Sequence, residues 1–332
     1  MNIAINGLGR IGRLLLRASF EDKNIDIVSL NTPGDIKVLA HLLQYDSIHG
    51  IWDIDCKIND NLLIINDKPI PVYNHTEIEK VHWNKHDVSI VIDCSGKFNS
   101  KELASKHIES GAKKVIVSAP CKKADATVVM GINHQIINEH HKIISVASCT
   151  TNALAPIIYV LQKNATINSG YATTIHSYTS DQNLIDGQHK DFRRARSASL
   201  SMIPTKTGAA DNIGLIIPEI AGKLSGSAIR IPTANVSLID LKICTKEKIK
   251  ASNVNEWMRI ASESYLKDIL GISSLPLVSV DFSHSSYSSI FDMLETRVVE
   301  NNLLRILSWY DNEWAFALRI IDLINYLRNI SV

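Results

Sequence analysis

Asn2-Ile3-Ala4-Ile5-Asn6-Gly7-Leu8-Gly9-Arg10-Ile11-Gly12 places a short apolar run directly before a G-x-G-x-x-G spacing. Residues 10–20 then carry apolar side chains at helical intervals. Three glycines between a strand and a helix each have a physical purpose. The first permits the tight turn, the second lets backbone approach a pyrophosphate, and the third lets the helix pack on the strand. The free N–H groups of the helix N-terminus then receive the phosphate charge. Strand, glycine turn and helix in this order point to dinucleotide binding.

Working outward, residues 25–30 read as strand, 36–43 as helix, 89–93 as strand, 101–110 as helix and 115–118 as strand. Strands separated by helices of this length form parallel β-α-β units, so an α/β Rossmann-type domain is expected over residues 1–148. Residues 52–72, with turn signals at Asn59-Asp60-Asn61 and Asn66-Asp67, read as an antiparallel excursion. Past residue 148 the texture changes. Strand-like stretches at 170–179, 228–231, 235–244 and 298–309 alternate with helices near 151–162, 208–220 and 248–266, which reads as α+β with one broad mixed or antiparallel sheet. Residues 180–201 are polar and charged, without periodicity, as expected of a functional loop or a subunit contact.

The chain has 332 residues, which suggests two domains. With 35 basic and 34 acidic residues its formal charge is +1, which argues against a nucleic-acid binder or a polybasic membrane module. Apolar residues make up 45% and charged ones 21%, enough for a real core and against disorder. Five cysteines without a C-x-x-C pair form neither a disulfide framework nor a zinc ribbon, and fit a reducing compartment. The N-terminal residues lack signal-peptide character, and no apolar run reaches the ~18 residues that span a bilayer. A cytoplasmic protein is expected. His82 and His86 have an i, i+4 spacing but lie in a turn-like segment, so no metal site is assigned.

The expected strand over 25–30 ends in Asn31-Thr32-Pro33-Gly34-Asp35. A carboxylate that would hold the ribose 2′-hydroxyl is missing from 31 and 32. Without it a 2′-phosphate is not repelled, and NADP becomes an alternative to NAD. Equally, Asn31 or Thr32 can hydrogen-bond the hydroxyl of NAD.

Ser148-Cys149-Thr150-Thr151-Asn152 follows a strand-like run over 143–147 and opens a helix. The helix dipole and free N–H groups there stabilise a thiolate. Cys149 lies among hydroxyls and amides, whereas Cys56, Cys94, Cys121 and Cys244 read as small core hydrophobes. A nucleophilic thiol needs a base, and His176, in Thr173-Thr174-Ile175-His176-Ser177-Tyr178-Thr179, is the candidate.

Asn6–Arg13 aside, the segments Tyr45-Asp46-Ser47, His49-Gly50, ASCTTN over 147–152, HSYT over 176–179, TGAA over 207–210, RIPTANVS over 230–237 and WYDNEW over 309–314 follow in order. Together they resemble phosphorylating glyceraldehyde-3-phosphate dehydrogenase from residue 1 to about 328. The resemblance implies oxidation of glyceraldehyde 3-phosphate with NAD or NADP and inorganic phosphate, in glycolysis or gluconeogenesis, by a homotetramer. Cys149 would form a thiohemiacetal and then a thioester, with His176 as base. Thr179, Asp181 and Arg230 would line one anion pocket, with Asp181 orienting Arg230. Ser148, Thr150, Thr207, Gly208 and Arg194 would line the other. Gly7, Gly9, Arg10, Ile11, Gly12, Asn31, Thr32, Ser95, Gly96, Ser118 and Asn312 make up the cofactor set, with Arg10 facing phosphate and Asn312 the nicotinamide amide. A C-terminal helix over 313–332 would return to the first domain, leaving 149–312 as the catalytic domain.

Three positions depart from the family pattern. Ala153 stands where a second cysteine is common, and Phe316 where a tyrosine is. Asp186-Gly187-Gln188 precedes His189-Lys190-Asp191 where NAD-dependent bacterial members carry Leu-Pro. With Thr32, the last departure makes NADP use an expectation. Erythrose-4-phosphate dehydrogenase, which hydrolyses the thioester, is the nearest alternative activity.

Overall fold

The computed structural model describes residues 1–330, so the last two residues of the helix expected over 313–332 lie outside the described residues. The chain forms two compact units. One comprises Met1–Val128, His134–Ser148 and Phe316–Val332, the other Val129–Asn133 and Cys149–Ala315.

In the first unit the order is β1 (Asn2–Asn6), α1 (Arg10–Ser19), β2 (Asp26–Asn31), α2 (Ile36–Gln44), β3 (Tyr45–Asp46), β4 (Gly50–Ile51), β5 (Cys56–Asn59), β6 (Leu62–Ile65), β7 (Lys68–Tyr73), β8 (Ile90–Asp93), α3 (Lys101–Glu109), β9 (Lys114–Val117), β10 (Ala126–Thr127) and β11 (Ile143–Ser145). Nine strands make one sheet in the order β10-β11-β9-β8-β1-β2-β7-β6-β5. It is parallel from β10 to β7, and the expected antiparallel excursion is β5, β6 and β7, with β7 returning parallel beside β2. Ile3, Ala4 and Ile5 have no exposed surface, as a central parallel strand covered on both faces requires. Asp35 starts α2 by accepting from the Lys37 N–H at 2.7 Å, and Ser100 starts α3 by accepting from that of Leu103.

The second unit runs α4 (Cys149–Asn164), β12 (Ile167–Ser177), β13 (Ile203–Lys206), β14 (Leu224–Ile231), β15 (Ser237–Thr245), α5 (Ala251–Glu263), β16 (Leu270–Ser273), β17 (Ser289–Asp292), β18 (Arg297–Val299), β19 (Leu303–Tyr310) and the first residues of α6 (Trp314–Asn329). Its mixed sheet has the order β13-β14-β12-β15-β19-β17-β16, with β18 paired to β19. On β15, buried and half-buried residues alternate along the strand, as one covered face demands.

Two expected elements differ. The helix over 208–220 is instead a pair of 3₁₀ turns, Asp211–Leu215 and Pro218–Ile220. Pro218 has no N–H to continue a helix and pushes Ile217 out of the helical region. The strand over 298–309 is split into β18 and β19 by a turn at Glu300 and Asn301, both in the left-handed region at φ 48° and 64°. The short strands β13, β16 and β17 carry too few residues for their alternation to show in the sequence. Residues 178–202 contain no helix or strand. Among the described residues no helix is long and apolar enough to cross a membrane.

Candidate active site

Cys149 is the first residue of α4, and the chain reaches it through Ala147, held at φ 56° in the left-handed region. Its Sγ lies 3.7 Å from His176 Nε2. His176 is on β12, where its register partner on the parallel neighbour β14 is Arg230, so the two side chains share a face of the sheet. His176 Nδ1 is 2.7 Å from the Ser177 carbonyl oxygen, and Arg230 Nη1 donates to that same oxygen at 2.8 Å. Nη1 is also 2.9 Å from Nδ1. The tautomer that satisfies this carbonyl carries its proton on Nδ1, which leaves the Nε2 lone pair facing the thiol.

Burial, followed by the charge of Arg230, pulls His176 down to about 3, so the imidazole is neutral at working pH. Burial pushes the Cys149 thiol upward. Opposing it are the Arg230 charge, the Thr150 hydroxyl and the N–H groups of Thr150 and Cys149. The helix-terminal donors expected from the sequence are present, but desolvation outweighs them, so the resting state is a neutral thiol beside a neutral base. Burial also raises Cys94 to about 12 and Cys121 to about 11, with no basic partner to offset it. Of the four cysteines read as core, only Cys121 is fully buried; Cys56, Cys94 and Cys244 are partly so.

Arg230 Nε is buried without a hydrogen-bond partner. A guanidinium edge left in this state is a site for an anion. Asp181 is not its partner: it pairs with Arg194 and lies 3.5 Å from His189 Nε2. Arg194 Nε also donates to Thr205 at 3.0 Å. The carboxylate expected to orient Arg230 is thus engaged with the arginine expected in the other pocket, because loop 178–202 folds Asp181 and Arg194 onto each other. Asp181 still acts on Arg230 through its charge. Thr207 accepts from the Ala209 N–H at 3.2 Å, next to the exposed Gly208. Thr179 borders a cleft of about 210 Å³ with Gln182 and Ser199. Asn312 Oδ1 accepts from Ser177 Oγ at 2.9 Å and Ser237 Oγ at 3.0 Å, so the group it can offer to a carboxamide is Nδ2.

Composition and spacing gave no reason to single out Tyr310. Fully buried, its hydroxyl lies 2.9 Å from Thr150 Oγ1 and 2.8 Å from Thr174 Oγ1, with its ring edge-on to His176 at 5.9 Å. Its place beside Asp311-Asn312 in WYDNEW was the available signal.

In the first unit, Gly7 has φ 91°, and a Cβ there would lie 2.6 Å from the Ser95 nitrogen. A Cβ at Gly12 would lie 2.0 Å from the Gly7 oxygen, while one at Gly9 meets nothing within 4 Å. The first and third glycines are therefore needed by the fold, and the open side of Gly9, at the N-terminus of α1, fits a pyrophosphate. Gly96 is likewise open on its Cβ side, at φ 71°.

The polar side chains expected to bind cofactor are largely committed elsewhere. Asn31 donates to Asn6 Oδ1 at 2.7 Å and the His75 oxygen at 3.0 Å, and accepts from the His75 N–H at 3.1 Å. With both donors used it cannot hold a ribose through its amide N–H groups, which leaves the half-buried Thr32 for that role. Asp35, engaged in capping α2, supplies no carboxylate at 31 or 32. Ser95 donates to Asp93 at 3.0 Å, and Asn6 donates to the other oxygen of that carboxylate at 2.6 Å. The Ser118 N–H is held by the Asp93 carbonyl. Arg10 forms a two-pronged ion pair with Asp46, so its charge is neutralised and does not stand free for phosphate. Ile11 lies in the first turn of α1. His86 Nε2 is 3.1 Å from the Tyr73 hydroxyl. No group of three metal-ligating side chains occurs among the described residues.

Residues 1–101 match the family model described as glyceraldehyde 3-phosphate dehydrogenase, NAD binding domain, and residues 148–312 match that of the C-terminal domain. Glyceraldehyde-3-phosphate dehydrogenase 1 of Bacillus cereus is 45% identical over 326 residues, covering 98% of each chain. That of Geobacillus stearothermophilus is 45% identical over 328 residues, also 98% of each. The chain belongs to the glyceraldehyde-3-phosphate dehydrogenase family. Glyceraldehyde-3-phosphate dehydrogenase of Pseudomonas aeruginosa agrees, at 46% over 97% of this chain and 96% of its own. Membership in this family makes the chain an NAD-binding oxidoreductase, with the cofactor domain in the segment that carries Gly7, Gly9 and Gly12.

Proposed function

We propose that this chain oxidises glyceraldehyde 3-phosphate to 1,3-bisphosphoglycerate by covalent catalysis on Cys149, using inorganic phosphate. The observation that carries this is the 3.7 Å approach of the Cys149 thiol to a neutral His176 imidazole beside a buried, unpaired guanidinium edge. His176 Nε2 takes the thiol proton as sulfur attacks the aldehyde and returns it to the new alkoxide, giving a thiohemiacetal; it then takes that hydroxyl proton as hydride leaves the carbon, which becomes the thioester. The bound dinucleotide supplies the hydride acceptor. Arg230 neutralises the substrate phosphate with Thr179, while Ser148, Thr150, Thr207 and Gly208 receive the attacking phosphate through hydroxyl and N–H groups. Residues 1–148 with the C-terminal helix hold the dinucleotide, through Gly7, Gly9, Gly12 and backbone of the Ser95-Gly96 turn, and 149–312 carry the chemistry.

Cys149→Ser lowers kcat by at least about 10³-fold while the protein stays folded. Turnover that continues without phosphate would turn the assignment toward hydrolysis, as in erythrose-4-phosphate dehydrogenase.

NADP serves as well as NAD, because Thr32 stands where an acid would repel a 2′-phosphate and Gly187-Gln188 stands where Leu-Pro precedes His-Lys-Asp. A preference for NAD above about a hundredfold in kcat/KM, near 2.7 kcal/mol, would sink this. A homotetramer in the cytoplasm completes the proposal. Loop 178–202 supports the assembly, since Leu184, Ile185, Phe192, Leu200 and Met202 are each more than 70% exposed and the Gln182 amide is buried unpaired.

A further inference from the structure

Resting on the Cys149–His176 assignment, we infer that Tyr310 is a positioning residue whose single hydroxyl sets the geometry of the catalytic pair by tying the segment that carries the thiol to the strand that carries the base. Thr150 adjoins Cys149 at the start of α4. Thr174 stands two residues before His176 on β12, so both point to the same face of the sheet. Tyr310, the last residue of β19, reaches both threonines with one oxygen, at 2.9 and 2.8 Å. A phenol offers one proton and accepts others, so it joins the two threonine hydroxyls into a single chain. Run from Thr174 through Tyr310 to Thr150, the chain ends with the Thr150 hydroxyl 4.0 Å from Cys149 Sγ, as a donor to the thiolate once His176 has taken its proton.

The ring has a separate part. It stands edge-on to the imidazole, at 5.9 Å and 79°, and so limits sideways movement of His176. Tyr310, both threonines and the imidazole are buried, where an unmade hydrogen bond costs more than in water.

Tyr310→Phe keeps the ring and deletes the link. Alkylation of Cys149 by iodoacetamide, followed by peptide mass spectrometry in the unloaded protein between about pH 6 and 10, reads thiolate formation without turnover. Tyr310→Phe shifts the alkylation midpoint to higher pH and slows labelling about threefold or more at a given pH. It also lowers kcat about 5- to 30-fold, with KM for glyceraldehyde 3-phosphate within about twofold. The other charges that bear on the pair, Arg230 and beyond it Arg194 and Asp181, are unaltered.

Should Tyr310→Phe fail to fold, Thr174→Val and Thr174→Ser carry the test. Valine moves the midpoint in the same direction, and serine, which keeps the hydroxyl, restores it. A labelling profile and kcat that stay at wild-type values while only Tm falls would overturn the inference. If His176→Asn itself leaves labelling and kcat untouched, the thiol–imidazole assignment fails, independently of Tyr310.

Discussion

Asn31, Asn6, Asp93 and Ser95 in the first unit direct their polar atoms at one another, whereas Arg230 in the second keeps a buried Nε with no partner and His176 a lone pair aimed at a thiol. The first arrangement suits a ligand held by backbone N–H groups and by space, because phosphate oxygens can be met by a helix terminus and a glycine turn. The second suits a ligand that must be charged, oriented and covalently attacked. Polar side chains near a cofactor loop are therefore weak guides to what touches the cofactor. Unsatisfied atoms in a covalent site are better ones.

The comparison is most exposed at Arg230. Arg230→Gln should lower kcat/KM for glyceraldehyde 3-phosphate by about 10³-fold, near 4 kcal/mol, with a much smaller loss for unphosphorylated glyceraldehyde. Equal losses on the two aldehydes would mean that the guanidinium serves His176 alone and that its free edge meets no phosphate.

A smaller effect separates two glycines of one motif. Gly7→Ala puts a Cβ 2.6 Å from Ser95 at φ 91° and should cost about 2–4 kcal/mol in urea unfolding. Gly9→Ala meets nothing within 4 Å, so stability should hold to within about 0.5 kcal/mol while the dinucleotide Kd rises about tenfold. Unchanged NAD affinity in a stable Gly9→Ala protein would break the idea that open space is what the first unit offers.

Per unit of pH the expected effect is smaller again. Native His176 titrates at about 3, against about 6.5 in an unfolded chain. Between those values the unfolded state binds the extra proton, so stability falls as pH drops below about 6.5, by up to about 1.4 kcal/mol per unit. His176→Gln should flatten this part of the Tm-against-pH curve, and parallel curves for the two proteins would contradict the neutral, buried base.

How far the sequence showed this depends on what kind of feature is asked about. Gly7, Gly9 and Gly12 were legible because their spacing encodes a backbone path, and Cys149 because its polar neighbours are at odds with core packing. The side-chain partners of Arg10, Asn31 and Asp181 were not legible for a common reason: each is polar and near a motif, yet its partner (Asp46, Asn6 with His75, Arg194) is distant in sequence and is fixed only by tertiary folding. Tyr310 escaped notice similarly, since its contacts at 150 and 174 span more than a hundred residues. The helix expected over 208–220 does not form because Pro218 lacks the N–H to continue it and holds Ile217 outside the helical region.

α6 gives the molecule an order of assembly. Its buried Ala317, Ile320, Leu323, Ile324 and Leu327 recur at helical spacing, and Asn325 and Arg328 donate to Asp22 and Asn24, which follow α1. The first unit therefore includes a helix that is synthesised some 170 residues after its last strand. During translation the whole of the second unit emerges from the ribosome before the first receives that helix. Until then the dinucleotide-binding half carries an uncovered apolar face, and a nascent chain stalled before residue 316 should be the form that chaperones hold.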